Sequence, residues 1–276
     1  MQRAKIVQQR RGVTRLFVCF FLAVLCPGSA ASAREAAELP YDLRLDLSLT
    51  LAAATLWGTG YLIEDHLVPA HCRWCNDNAF DARAREALLW SEPKLAGALS
   101  DVGALVAAPA LAFAGLASAA YDAGAMKYFY QDALFVFEAV SIAALLNEVV
   151  KFSVARERPY VHYDAFDGHP TGSYERTSFY SAHTNRAFAL ASAAGMVASM
   201  RGYRLAPLIW TLGMITATVV GYARVAGDYH YLSDVLVGGA LGSLVGAGLP
   251  WLMHRPGQKR VQLSVSASGV ALIFRN

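Results

Sequence analysis

The chain has 276 residues, of which 55% are hydrophobic and only 16% charged, with a formal net charge of +3 and a mean hydropathy of +0.33. That apolar content exceeds what soluble domains carry, so a membrane protein is the class that composition favours. The mild basicity fits the arginine bias of membrane loops, and no basic stripe is interleaved with aromatics, so no nucleic-acid partner is expected.

The opening residues read as a targeting segment. A basic stretch up to Arg15 precedes a short apolar core from Leu16 to Leu25, and Ala31, Ser32 and Ala33 follow, so residues 1–33 are expected to be a signal peptide cleaved after Ala33. The core is shorter than the roughly 20 residues a membrane span needs. Arg10 with Arg11 lacks the rest of a twin-arginine signal, and Leu25 is too bulky for a lipid anchor at Cys26.

Six apolar stretches follow, near residues 45–63, 96–120, 129–151, 182–200, 205–223 and 231–253. Each approaches the length at which a tilted helix crosses a hydrocarbon layer about 30 Å thick. They are rich in glycine and alanine, which let helix backbones approach closely in lipid, and Pro109 is expected to kink the second. The competing reading is a soluble bundle of alanine-rich core helices. Six such segments on short loops would leave too little polar surface to coat a soluble particle, a requirement that lipid removes. The expected fold is therefore all-α, a six-helix transmembrane bundle.

The chain is divided accordingly. After the signal peptide, residues 34–94 hold the first apolar helix and a surface segment, residues 95–253 form the core, and residues 254–276 are a tail. Within the surface segment, residues 79–90 read as an amphipathic helix with Phe80, Ala84, Ala87 and Leu88 along one side, resting on the membrane. Cys72 and Cys75 form a C-x-x-C pair, open to a disulfide, a redox pair or half of a metal site. With no second pair a structural zinc is disfavoured, and a local disulfide is expected in an oxidising compartment. The tail sequence "VQLSVSASGVALIF" alternates like one or two short strands.

Charged groups at membrane depth cost on the order of 2.5–3.5 kcal/mol each, so clusters of them are read as functional. Three stand out. Lys151 and Arg158 are two helical turns apart and share a face if the helix continues that far, although Pro159 disfavours helix at Arg158. Ser181 and His183 open the fourth stretch, where unpaired N–H groups and the positive helix end suit a phosphate oxygen. Arg224, His230 and Asp234 bridge the fifth and sixth stretches, and His230 and Asp234 are i and i+4, so the carboxylate can hold the imidazole in one tautomer.

If the last four stretches alternate across the membrane, all three clusters fall on one side. Two arginines, a lysine and a helix N-terminus can then surround a dianion while one imidazole attacks phosphorus and another protonates the leaving oxygen, without a metal. The plainer readings are that Lys151, Arg156 and Arg158 are interfacial anchors and that His183 is a structural histidine. Glu148 is a candidate partner of Lys151 or Arg224, Asp228 a candidate neighbour of His230, and His162, Asp164, Asp167, His169 and Glu175 a solvated lid. Asp132 and Glu138 within or beside the third stretch have no assigned role.

The spaced motifs K-x6-R-P (Lys151 to Pro159), Y-S-A-H (Tyr180 to His183) and A-R-x5-H-x3-D (Ala223 to Asp234) resemble the three-part signature of the type 2 phosphatidic acid phosphatase family. Bacterial acid phosphatases and vanadium haloperoxidases share that signature, and the resemblance covers roughly residues 95–253. It implies that Lys151, Arg158 and Arg224 bind phosphate, with Ser181 and the amide of Ala182 assisting. It also implies that His230 is the nucleophile forming a phosphohistidine, Asp234 its orienting partner and His183 the general acid, with no metal and no cofactor. The chain departs from the family at Tyr180 and Ala182, where proline and glycine are usual, and at Ala223, where serine is usual.

The expected activity is hydrolysis of a lipid phosphate or pyrophosphate whose tail enters laterally from the membrane. The alternatives are a nonenzymatic membrane protein binding anionic lipid, a phosphotransferase using the same histidine, and a vanadate-dependent haloperoxidase, which the spans disfavour. Arg201, Arg204, Arg255, Lys259 and Arg260 place their ends in the cytoplasm by positive-charge counting, which makes this a multi-pass inner-membrane protein with a periplasmic active site. A cleaved signal followed by six crossings would put the site inside instead. The expectation therefore requires that stretch 45–63 does not cross fully or that the signal is retained without crossing.

Overall fold

A computed structural model describes residues 35–165, 169–257, 260–266 and 269–275. The expected signal peptide, residues 1–33, lies outside them, as does Asp167. The first helix, α1 (Leu43–Leu62), begins where the Asp42 carboxylate accepts the N–H groups of Arg44 and Leu45, satisfying donors that the first turn leaves unpaired. A single turn, α2 (Glu64–Leu67), leads into the loop in which Cys72 and Cys75 form the expected disulfide. Asn78 caps α3 (Ala79–Leu88) in the same manner as Asp42 caps α1.

The next apolar stretch is one long rod made of α4 (Pro93–Val102), a π-helical turn (Gly103–Ala107) and α5 (Ala108–Asp122). The widened turn lies directly before Pro109, which has no N–H for the helical ladder, so the irregularity falls where the proline demands it. After a 3-10 turn at Met126–Tyr128 comes α6 (Phe129–Val154), which stops at Ala155 in the left-handed backbone region (φ 46°). The loop beyond it carries α7 (Pro159–His162) and a 3-10 turn (Gly172–Arg176). Three long helices complete the bundle: α8 (Ala182–Arg201), α9 (Ala206–Ala226) and α10 (Leu232–His254). The strand-like tail is an antiparallel hairpin, β1 (Arg260–Ser266) and β2 (Gly269–Arg275), with Arg260 opposite Arg275 and Ser266 opposite Gly269.

Helix α8 is the axis of the bundle, packed by α10, α9, α6 and α5. Its Ala187, Ala193, Ala194, Val197 and Ala198 are fully buried. The closest approach is to α10, where Gly238, Gly242 and Gly246 recur every fourth residue. A Cβ at these positions would lie 2.8 Å from the Ser181 carbonyl oxygen, 2.3 Å from that of Asn185 and 2.5 Å from that of Ala189. Lipid gives helices no hydrophobic reason to associate, so backbone contact through small residues does this work. The consequence for the site is registration: the first turn of α10 is held against the first turn of α8.

Four of the described helical segments are long and apolar enough to cross a membrane: Pro93–Asp122, Met126–Val154, Ala206–Ala226 and Leu232–His254. The expectation of six spans is corrected to four by this measure. Stretch 182–200 is helical but turns polar groups inward, as where the Asn185 amide donates to the Ala143 carbonyl at 3.0 Å. Stretch 45–63 is helical but carries Arg44, Asp46, Ser48 and Thr50 in its first turns. Around the bundle, Leu105, Val106, Ile215 and Leu244 are more than half exposed. Such an apolar exterior is stable in lipid and a liability in water.

Helix α3 turns its polar side to the protein, with Asp81 fully buried and accepting the Ser233 N–H in the first turn of α10, and leaves Phe80 on its apolar side 49% exposed. One further expectation is corrected: Lys151 and Arg158 do not share a helical face. The helix ends at Val154, and Arg158 has extended backbone (φ −80°, ψ 154°), as a residue before proline prefers.

Candidate active site

The ends of α6, α8, α9 and α10 meet with the loop of residues 155–181 at one end of the bundle. Lys151, in the last turn of α6, is buried with its Nζ 3.8 Å from Glu148 Oε1. Arg158 is held rigidly. Its Nε donates to the Tyr174 carbonyl at 2.7 Å, Nη1 to that of Tyr229 at 2.7 Å, and Nη2 to that of Thr177 at 3.0 Å, while its guanidinium lies 3.7 Å over the Tyr174 ring. Among the described residues no carboxylate pairs with Arg158, so its charge is oriented by dipoles and left uncompensated.

His230 sits in the short link between α9 and α10, buried. Its Nδ1 is 2.8 Å from the Ser178 carbonyl oxygen, which can only accept, so the proton is on Nδ1. Nε2 then carries the lone pair and lies 3.1 Å from Arg158 Nη1. Burial, followed by the charges of Arg158, Arg224 and Lys151, pushes this imidazole well below its usual range, so it is neutral at pH 7.

Asp234 is i+4 from His230, as expected, but its Oδ2 is 3.7 Å from His230 Nδ1. Nearer groups hold its carboxylate: Arg156 Nη1 at 2.5 Å, the Ser178 hydroxyl at 2.6 Å and the Tyr231 N–H at 3.0 Å. Arg156 in turn reaches Asp81 at 2.8 Å and is sandwiched between the Trp74 and Tyr231 rings at 3.9 and 4.0 Å. Far from being an interfacial anchor, it is wholly buried and joins α3 to the start of α10. Arg85, also on α3, grips Asp228 through two bonds of 2.6 Å, so Asp228 faces away from the role of a neighbour tuning His230.

On α8, Ser181 is the N-cap. Its hydroxyl accepts from the Thr184 hydroxyl at 2.9 Å and its N–H donates to the Asp234 carbonyl at 3.1 Å. Ala182 and His183, as the first two helical residues, have amides with no intrahelical acceptor. His183 Nε2 is 3.1 Å from Asp101 Oδ1, and the same oxygen is 3.2 Å from Arg224 Nη1. Arg224 also meets the Ser100 hydroxyl at 3.1 Å, the Tyr174 hydroxyl at 3.0 Å and the face of Tyr229 at 4.0 Å. Burial opposes ionisation of the Tyr174 phenol, yet Arg158, Arg224 and Lys151 together bring it down to about 8.

All three sequence clusters thus belong to one network, which runs from His230 through Arg158, Tyr174, Arg224 and Asp101 to His183. Lys151 is charge-coupled to Arg158 and Tyr174. Sequence reasoning missed Asp101, Tyr174, Ser178 and the Arg156–Asp81 pair. Asp101 carried a usable signal, a lone carboxylate opening an apolar stretch. Tyr174 and Ser178 carried none, because only the folded loop brings them to the cations. From the expected lid, His169 Nε2 is 2.8 Å from the Gly227 carbonyl oxygen and its ring stacks on Tyr160 at 4.4 Å, so this residue is docked on the site.

The class these features define is an all-α, membrane-associated protein: four helices are long and apolar enough to cross a membrane, and one end of the bundle gathers three buried cations and two imidazoles. The model of the PAP2 superfamily matches residues 132–258, a span that holds all three motifs. Among solved structures, the chain is similar to a transmembrane PAP2 type phosphatidylglycerolphosphate phosphatase from Bacillus subtilis, with 19% identity and a TM-score of 0.46, covering 75% of this chain and 94% of that one. No curated protein matches the chain.

Proposed function

We propose that the protein is an integral membrane phosphatase that hydrolyses a phosphomonoester or pyrophosphate of a lipid through a phosphohistidine, without a divalent metal in the chemistry. The observation that carries this reading is the state of His230: a neutral, buried imidazole whose Nδ1–H is tied to a carbonyl and whose Nε2 lone pair faces a cationic pocket.

In the proposed reaction, nonbridging phosphate oxygens take the N–H groups of Arg158 and Arg224, the Lys151 ammonium and the unpaired amides of Ala182 and His183. When a phosphate oxygen takes the Arg158 Nη1 hydrogen, the Nε2 lone pair of His230 is released for in-line attack on phosphorus. The P–O bond to the lipid breaks as the N–P bond forms, and His183, which takes up a second proton with the phosphate dianion and so enters the step as an imidazolium, gives its Nε2 proton to the departing oxygen and becomes neutral. Asp101, which accepts from that nitrogen, keeps the proton in place beforehand. A water molecule then gives its proton to His183 and attacks phosphorus, and the N–P bond breaks to release phosphate and restore both imidazoles. Ser181 acts as the cap that presents the helix start, and Asp234 acts on His230 through the Arg156 and Ser178 framework.

The active site is proposed to open to the periplasmic side, in keeping with the disulfide at Cys72 and Cys75 on the loop that meets it: the Arg73 N–H donates to the Ala155 carbonyl at 3.1 Å. The deciding experiment measures phosphate release from lipid phosphates and pyrophosphates by the purified protein with chelator present. Wild-type release that vanishes in His230→Ala supports hydrolysis. Equal lipid binding without release by the wild type leaves the anionic-lipid-binding reading, and transfer of phosphate to a lipid or sugar acceptor leaves the phosphotransferase.

A further inference from the structure

At the other end of the bundle from His230, α1, α6 and α10 bring Asp46, Glu138 and His254 together, with one ligand atom from each within 4.8 Å of the others. By helix rise, Glu138 lies about 20 Å along α6 from Lys151, and His254 about 30 Å along α10 from Asp234, so the cluster is remote from the phosphate site. All three residues are buried. His254 Nδ1 is 2.9 Å from the Pro40 carbonyl oxygen, so that nitrogen carries the proton and Nε2 turns a lone pair inward. Stacking on Phe135, with ring centroids 3.7 Å apart, fixes the plane of the imidazole.

What that nitrogen meets is a carboxylate. Nε2 is 3.3 Å from Glu138 Oε2, while Glu138 Oε1 is buried with no hydrogen-bond partner. Asp46 uses Oδ2 to accept the Asp42 N–H at 3.1 Å. Among the described residues, no lysine or arginine pairs with Asp46 or Glu138. Two carboxylates and an imidazole therefore converge in a buried space that no lysine or arginine neutralises, an arrangement that needs a cation or protons to be stable.

The spacing favours a metal ion. A proton shared between imidazole and carboxylate would draw the pair to about 2.7–2.9 Å. The observed 3.3 Å is close to the edge of a tetrahedron, about 3.4 Å, whose ligands stand about 2.0–2.1 Å from a zinc ion, and the third ligand atom lies within 4.8 Å of both. The Pro40 carbonyl on the outer nitrogen is the support that metal-bound histidines have. We propose that Asp46, Glu138 and His254 bind one divalent transition cation of zinc's kind. It neutralises the two carboxylates and ties the start of α1 and the end of α10 to the middle of α6. The site is structural and takes no part in phosphoryl transfer.

The test uses the full chain in detergent, stripped with chelator and titrated with Zn²⁺ alone. One equivalent binds and raises the unfolding temperature, and Co²⁺ in place of Zn²⁺ gives the visible absorption of a tetrahedral site that Zn²⁺ then bleaches. Glu138→Gln and His254→Ala each weaken binding at least tenfold, whereas His183→Ala and His230→Ala leave it unchanged. If a variant does not fold, the wild-type Co²⁺ spectrum and its stoichiometric bleaching still decide. Zn²⁺ that neither binds stoichiometrically nor shifts unfolding of the wild type overturns the proposal, as does undiminished binding by Glu138→Gln. Loss of phosphatase activity is a separate result and leaves this one untouched.

Discussion

The Nδ1–H of His230 is held by the main-chain carbonyl of Ser178 at 2.8 Å, nearer than the Asp234 carboxylate at 3.7 Å. The tautomer that frees Nε2 therefore comes from the backbone. Asp234 stabilises the frame around it by pairing with the buried Arg156.

This division of labour separates two substitutions. Ser178→Ala keeps the carbonyl and removes only the hydroxyl bond to Asp234, so it costs about 1.5–3 kcal/mol of stability and leaves kcat close to wild type. Asp234→Asn leaves Arg156 under-compensated in a buried site and costs about 3–5 kcal/mol. Thermal unfolding in detergent together with kcat distinguishes them. A large loss of kcat in Asp234→Asn at unchanged unfolding temperature would show that the carboxylate acts on the imidazole directly.

Arg156 is predicted to tolerate no substitution, including the one that keeps its charge. Its guanidinium spans Asp81 and Asp234 at once while stacked between Trp74 and Tyr231. Lysine has neither the fork nor the plane. Arg156→Lys is expected to lower the unfolding temperature nearly as far as Arg156→Ala, and Asp81→Asn to lower it in the same direction.

Asp101 occupies donors that a phosphate would use, since one of its oxygens meets both His183 and Arg224. Asp101→Asn removes that competing anion and also the group that keeps a proton on His183. Inhibition by inorganic phosphate should tighten about tenfold, the scale of one charge-assisted hydrogen bond, while kcat falls. A variant in which phosphate binds more weakly would contradict this assignment.

The Tyr174 phenol, brought down to about 8 by its three cations, gives the site an alkaline limit. Its pKa lies below the ordinary value, so the phenolate forms as pH rises through about 8 and then competes with substrate for Arg158 and Arg224. KM is expected to rise above that pH in the wild type. In Tyr174→Phe the rise is expected to be absent, which a KM-against-pH profile of both proteins checks.

Much of this was legible in the sequence because it is encoded locally. Helix positions followed from apolar runs, the hairpin from alternation in the tail, and the cations and imidazoles from their cost in lipid. What was not legible depends on contacts across the chain. Arg156 read as an anchor because its partner, Asp81, is 75 residues away on a helix that the sequence placed at the membrane surface. Ser178 acts through a main-chain carbonyl, which no side-chain pattern reveals. The stretch 182–200 looked like a span because its alanines dominate, although its polar residues serve the interior of the bundle.

The central claim is that phosphorus is carried on His230, and the most direct measurement is to look for it there. The purified protein is mixed with a lipid bearing labelled phosphate, quenched in alkali with chelator present, and the label is mapped. The expected result is an acid-labile, base-stable label on His230, absent in His230→Ala. It persists longer in His183→Ala, where loss of the general acid slows turnover by about 10²–10⁴-fold. Turnover by the wild type with no label on histidine, or turnover by His230→Ala at the wild-type rate, would contradict the mechanism.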